Sequence, residues 1–370
     1  DVTRTFQYDQ YQNLEYAITT SPSGSQNNTL YYTYDNDNNV KTQSLTVDGM
    51  QYVMQYEYDE LSNVQSITYP NGRTYSLSPN SLGSPTSIQQ IGGVGKSIYN
   101  LIQYNDNNTM KLMQRDGHQV KNELNSGQRP FKYRLEQYGN GNFAALGERQ
   151  YEYDKAANIA RIDDTVGSQY SDEGRYMSFT YDSRNRLKSE NISNGDNWTY
   201  DYLPNDSINW IQQGSTRSTF EYNVANKRLS GVRTGNAHRQ YGYDAQGNMT
   251  AHERLQGSSK VTRLLTYNAA NQLVAMNDGT TYGYDARGLR VKQERNGSIH
   301  TLYDPSERLV YRYDHQAQVS SEYFYVNGKL VARRDEDKSD NQSDDPTNDD
   351  DSGSDNGSND VTSITVSGRT

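Results

Sequence analysis

The sequence has 370 residues, 33 of them Tyr and none Cys, and an apolar fraction of 32%, against roughly 45–50% for an ordinary soluble domain with Gly counted in. With Tyr set aside that fraction falls to roughly 23%, which excludes a Leu/Ile/Val-filled core of normal size, and the lack of Cys excludes disulfides, a thiolate zinc site and a Cys nucleophile. The net charge of −10 sits in residues 335–360; the body is neutral, without the clustered Lys and Arg that nucleic acid requires, and no run approaches the ~18 apolar residues of a spanning helix.

From the N-terminus onward the chain repeats itself, which takes precedence over any catalytic motif. Tyr followed by Asp or Asn recurs at Tyr8–Asp9, Tyr34–Asp35, Tyr58–Asp59, Tyr104–Asn105, Tyr153–Asp154, Tyr181–Asp182, Tyr222–Asn223, Tyr243–Asp244, Tyr267–Asn268, Tyr284–Asp285, Tyr303–Asp304 and Tyr313–Asp314. Two positions before the Tyr most copies are aromatic (Phe6, Tyr32, Tyr56, Tyr151, Phe179, Phe220, Tyr241, Tyr282, Tyr311), and six after it most are apolar, as at Leu14, Val40, Ile159 and Val319. The copies at Tyr222 and Tyr284 read as local slips, with Leu229 and Val291 one place late, and a degenerate copy starts at Tyr200.

This spacing predicts strand. Residues two apart share one face of a strand, whereas on a helix they sit about 200° apart. Four positions after the Tyr, Asn38, Asn108, Asn185, Asn226, Gly247, Asn271 and Gly288 supply a residue that tolerates the left-handed turn of a bulged hairpin. The Asp after the Tyr is then a turn cap, its carboxylate accepting from backbone N–H groups two or three residues on. A dozen acids placed one per hairpin along a row are not paired acid/base groups.

Each copy is one strand, a turn and a return strand, so the fold class is all-β: tandem antiparallel hairpins in a long ribbon. Thirteen hairpins would span about 125 Å across the strands, and strand twist must curl such a ribbon. The Tyr rows are expected to stack ring on ring as ladders, with the hydroxyls facing a wet edge.

The remaining motifs are weaker. The five His show no ligand spacing in sequence, and no GxSxG, HExxH or P-loop string occurs, so no catalytic residue, metal ligand or cofactor is expected and the chain does not read as an enzyme. The run Asp35–Asn39 lacks the Gly and Glu of a calcium loop and reads as a hairpin turn. IGGVGKS, at 91–97, reads as a loop. Trp198 and Trp210 flank the irregular copy and are candidate carbohydrate contacts, or plugs where the repeat breaks.

After a repeat region at 1–334 comes 335–360, with eleven acids and one Lys, expected to be a disordered, self-repelling linker able at most to collect calcium loosely. VTSITVSGRT, at 361–370, reads as the start of a further domain or a frayed tail. Opening at Asp1, the sequence reads as a piece of a longer protein.

The segments FTYDSRNRLKS (179–189), YGYDAQGNMTAHE (241–253), LTYNAANQLVAMNDGTTYGYDARGLRVKQERNG (265–297) and YFYVNGKLVARRDE (323–336) resemble the YD repeats of the RHS family, which extends to Tc-toxin B/C shells and the teneurin YD shell. The resemblance covers about residues 1–334. It implies a spiral β-shell around a cavity, of which this chain is a part, secreted or at the cell surface. It also implies partners: the rest of the parent shell, an encapsulated C-terminal polypeptide in toxin-like members, and glycans in an adhesion role. The family's self-cleavage segment is not carried over, because neither Asp304–Pro305 nor Asp345–Pro346 has Gly two places after the Pro.

Overall fold

The computed structural model describes residues 2–21, 24, 27–92, 97–166, 174–256 and 259–337. Most of the expected linker, the 361–370 segment and the centre of the 91–97 loop lie outside them. Among the described residues every regular element is a strand, 31 in all with no helix, and the pairing is antiparallel between sequence neighbours. The all-β hairpin expectation holds. The final strand, Lys329–Asp337, runs three residues past the expected end of the repeat region.

Two turn types alternate along the meander, each following from its residues. At the tyrosine turns Tyr34 pairs with Val40 and Tyr153 with Ile159, with a register shift at the Tyr. The residue four after the Tyr is left-handed: φ is 62° at Asn38, 59° at Asn185, 104° at Gly247 and 97° at Gly288. The intervening ends use two-residue loops such as Asp48–Gly49, Asp116–Gly117 and Asn327–Gly328, both residues at positive φ, the type I′ geometry that matches strand twist.

Four copies depart from the sequence reading. The Tyr222 copy does carry an extra residue, pairing with Leu229, but the left-handed residue is Lys227 (φ 60°), not Asn226. The Tyr284 copy does not slip: Tyr284 pairs with Arg290 in the ordinary register, and the Arg290 guanidinium lies over the Tyr282 ring, 5.1 Å from its centroid. The irregular copy is anchored at Tyr202, not Tyr200; Tyr202 pairs with Ile208, Leu203 takes the Asp place and Asp206 is left-handed (φ 68°). In the last copy Asp314, not Tyr313, faces Val319, giving a tighter turn.

The chain forms two compact units, one comprising residues up to Ile98 together with those from Thr266 onward, the other Tyr99–Leu265. In the first unit the strands near the N-terminus meet those from Thr281–Tyr284 to Lys329–Asp337 through buried side chains, and of the aromatics two before the anchor Tyr32, Tyr56 and Tyr311 are buried, while Tyr282 is half-buried and Phe6 exposed. The Tyr69, Tyr75 and Phe324 rings pack at 4.8–5.6 Å between centroids. In the second unit the equivalent Tyr151, Phe179, Phe220 and Tyr241 are only half-buried. The low apolar fraction is thus met by concentrating burial in one unit.

Candidate functional site

The repeated turn is the feature most fully built from the sequence. In the Asp59 copy one carboxylate oxygen accepts from the Leu61 and Asn63 backbone N–H groups, both at 2.9 Å, and the other accepts from the Asn63 side chain at 3.0 Å. Asp154 repeats this with Ala156 and Asn158. The acceptor reaches two and four residues on, rather than two or three, because the left-handed residue at the fourth position redirects the fifth N–H inward. The Asn158 amide is the largest influence holding Asp154 below the usual carboxylate range, and the Arg186 guanidinium takes Asp182 down to about 2.

The fifth residue after the Tyr, which pattern reading passed over, has a second task. Its side chain reaches the left-handed residue of the following turn: Asn13 to Asn38 at 3.1 Å, Asn39 to Ser62 at 3.2 Å, Asn158 to Asn185 at 3.2 Å and Arg186 to Asp206 at 2.6 Å. Where this residue is Arg it also covers a ring, Arg186 over Tyr202 of the next copy at 4.3 Å and Arg308 at 5.3 Å over Tyr325, which takes the anchor place at the next such turn with a register shift at the Tyr, a cation–π contact. For these tyrosines a guanidinium stands where a ring-on-ring ladder was expected. In the longer Tyr222 turn Arg228 does the same, donating to the Asp244 carbonyl at 2.7 Å. A Cβ at Gly247 would stand 3.0 Å from that guanidinium, so close approach as well as φ favours Gly there.

The anchor hydroxyls correct the wet-edge expectation. Tyr34 donates to the Leu14 carbonyl, Tyr58 to Val40, Tyr181 to Ile159, Tyr202 to Leu187 and Tyr222 to Ile208, each at 2.8 Å. Tyr153, Tyr284, Tyr303 and Tyr325 do likewise to Pro130, Leu273, Arg290 and Leu309. In nearly every case the acceptor is the residue six after the previous anchor, so the phenol ties one repeat to the one before it. Burial pushes the Tyr58 and Tyr104 phenols up to about 12.

The first unit also gathers a polar cluster around the buried Tyr52 and His300 that sequence spacing could not show. The Tyr52 hydroxyl lies 2.9 Å from His300 Nδ1 and 3.1 Å from His315 Nε2, and the two imidazole nitrogens lie 3.0 Å apart. His300 Nε2 is 3.1 Å from Asp48 Oδ2, which Lys292 Nζ approaches at 2.7 Å. Nearby, Glu322 is buried and accepts from Tyr75 at 2.5 Å and Asn71 at 2.7 Å. The partners from the two ends of the chain lie about 250 residues apart in sequence, Tyr52 and His315 as far as 263, and no local pattern marked them.

Trp198 and Trp210 are both half-buried. Trp198 faces Gln213, while Trp210 faces Asp201; alternation along the strand puts the two rings on opposite faces of the sheet, with Arg217 lying 4.0 Å over the Trp210 ring. Asp35 accepts from the Asp37 and Asn39 N–H groups, so that run is built as a hairpin turn.

The teneurin YD-shell family model matches residues 205–342. The solved structure of TcdB2-TccC3 without its hypervariable C-terminal region is similar at a TM-score of 0.54 and 11% identity, over 90% of this chain and 22% of that one. A second TcdB2-TccC3 structure gives 0.54 and 12%, over 90% and 23%. At these identities the likeness concerns the fold. The chain spans about a fifth of those proteins' length, and no curated protein matches significantly. Over residues 205–342 the tyrosine hairpins are similar to those of the teneurin YD-shell family, and the fold is shared with the TcdB2-TccC3 structures.

Proposed function

We propose that the chain is a non-catalytic section of a YD-repeat shell that encloses or presents another segment of its parent protein, with the rest of the shell as its partner and a secreted or cell-surface setting. The observation that carries this reading is the double lacing of the repeats. Most anchor phenols hold the preceding repeat, and several fifth-position side chains hold the following turn, so strain on one hairpin is shared with its neighbours. A wall needs that property, and a site that performs chemistry does not. The family match at 205–342 and the shared fold support it.

Limited proteolysis of the full parent protein tests the reading. A segment outside residues 1–337 should stay uncut with the repeats intact and become cleavable when Tyr58→Ala and Tyr181→Ala unlace them. Equal cleavage in both would overturn it. The glycan-binding alternative needs exposed rings that act together; Trp198 and Trp210 on opposite faces do not favour it, and a signal from the chain on a glycan array, abolished by Trp198→Ala, would restore it.

A further inference from the structure

Most arginines on the second unit's strands have a carboxylate or carbonyl partner: Arg134 pairs with Glu148, Arg149 with Asp164, Arg161 with Asp163 and Arg233 with Glu221. Arg239, Arg254 and Arg263 do not; all three are exposed, and none of their side chains has a hydrogen bond or ion pair among the described residues. They are nonetheless placed together. Arg239 faces Arg254 directly across one strand pair, and His252 faces Arg263 across the next. Because directly opposed residues and residues two apart share a face, all four side chains lie on one side of the sheet. The acid of this region, Glu253, alternates to the other side, where it pairs with Lys260 at 2.7 Å.

Like charges directly opposite one another destabilise a sheet, so this arrangement works against the fold unless an anion relieves it. A second observation points to the same ligand. His252 stacks on Tyr241, ring centroids 5.1 Å apart and planes 14° from parallel, and its Nε2 is buried with no hydrogen-bond partner. A ring held flat by stacking, with an orphaned nitrogen among three guanidinium groups, is a fixed polar atom awaiting a counterpart. Guanidinium forks match the oxygens of phosphate and sulfate, donating two parallel hydrogen bonds.

We propose that Arg239, Arg254, Arg263 and His252 form an oxyanion site for a ligand carrying two sulfate or phosphate groups. One group would sit between Arg239 and Arg254, the other between Arg263 and His252, the diagonal neighbours lying about 7–8 Å apart. The site goes beyond the shell role, and its failure would leave that role untouched.

The test is isothermal titration of the full chain at matched ionic strength with a sulfated heparin disaccharide and with glucose 1,6-bisphosphate, sodium chloride serving as control. Saturable binding of at least one is expected, and which of them binds separates a sulfated from a phosphorylated source. Arg254→Gln and Arg263→Gln should each weaken it at least tenfold. In chloride alone the same variants should unfold at the same or a higher temperature than the parent chain, because they relieve repulsion. Heats no larger than those of chloride, binding unchanged in the double variant, or a lower unfolding temperature in chloride would each overturn the assignment.

Discussion

The hydroxyl of Tyr34 donates to the main-chain carbonyl of Leu14 across 2.8 Å, joining the anchor of one repeat to the end of the preceding turn. The same bond recurs from Tyr58 to Val40 and from Tyr181 to Ile159. It supplies a reason for Tyr over Phe that composition alone could not give, since Phe would fill the same space and leave a carbonyl without its donor.

Tyr181→Phe should therefore cost about 1 kcal/mol, the usual net worth of a single hydrogen bond, read as a lower midpoint in urea unfolding. Tyr8→Phe is the internal control. That ring is 62% exposed, and the change should be nearly neutral. Equal effects at the two positions would remove the tie as the basis of the anchor preference.

The anchor, its partner aromatic and the turn were all legible because they obey local rules: period two for the strand, Asp for the cap, and Asn or Gly for positive φ. The fifth-position lacing was legible in principle, since Asn13, Asn39, Asn63, Asn158 and Asn248 recur at one offset, but an Asn–Arg alternation is invisible to a search for apolar or aromatic positions. The slip read at Tyr284 shows the opposite error. Arg290 was polar where Leu was expected, yet the register is set by backbone pairing and turn length, and an Arg whose guanidinium lies over the Tyr282 ring fits the position. The cluster of Asp48, Tyr52, His300 and His315 depends on contacts about 250 residues apart in sequence, which no local pattern encodes.

Several copies place residues other than Asn or Gly at the left-handed position, among them Ala157 at φ 72°, Ser62 at 62° and Glu307 at 63°. A left-handed conformation costs an L-residue roughly 1–2 kcal/mol, a penalty Gly does not carry, though Gly loses more freedom on folding. Ala157→Gly should accordingly stabilise the chain by about 0.5–1 kcal/mol, measured as a rise in the denaturant midpoint. Asn185→Ala, at φ 59°, should move it the other way. A destabilised Ala157→Gly would mean that the Ala methyl makes a contact outweighing its backbone strain.

Acid should loosen the turns in a defined window. The Arg186 guanidinium and the backbone N–H groups of Arg186 and Arg184 hold Asp182 down to about 2, from 3.8, so the folded chain releases this proton more readily than the unfolded one. The stability it contributes is present above pH ~3.9 and is lost as pH falls toward 2. Asp182→Asn should flatten that part of the curve of unfolding temperature against pH while leaving the curve above pH 5 parallel to the parent. An unchanged acid limb would show that the carboxylate charge contributes nothing there.

The His300 cluster should act at higher pH. His300 is buried, and burial followed by the neighbouring His315 lowers its pKa from 6.5, against the opposing pull of Asp48. With His300 Nε2 directed at Asp48, its Nδ1 serves as acceptor for the Tyr52 hydroxyl or His315 Nε2, 2.9 and 3.0 Å away. A proton on Nδ1 removes that acceptor and places positive charge beside Lys292, itself 2.7 Å from Asp48. The unfolded chain binds this proton more readily than the folded one, so the contribution is fully present above pH ~6.5 and declines as pH drops through the folded value. Between pH 7 and 5, well above the window of Asp182, the unfolding temperature of the chain should fall. His300→Gln, which keeps an amide in place of the imidazole but cannot titrate, should lower stability at pH 7 yet show a shallower slope from pH 7 to 5. A parent slope no steeper than that of the variant would mean that His300 remains neutral, or is already charged, across the whole range, and the cluster would then be a fixed polar pin rather than an acid-sensitive one.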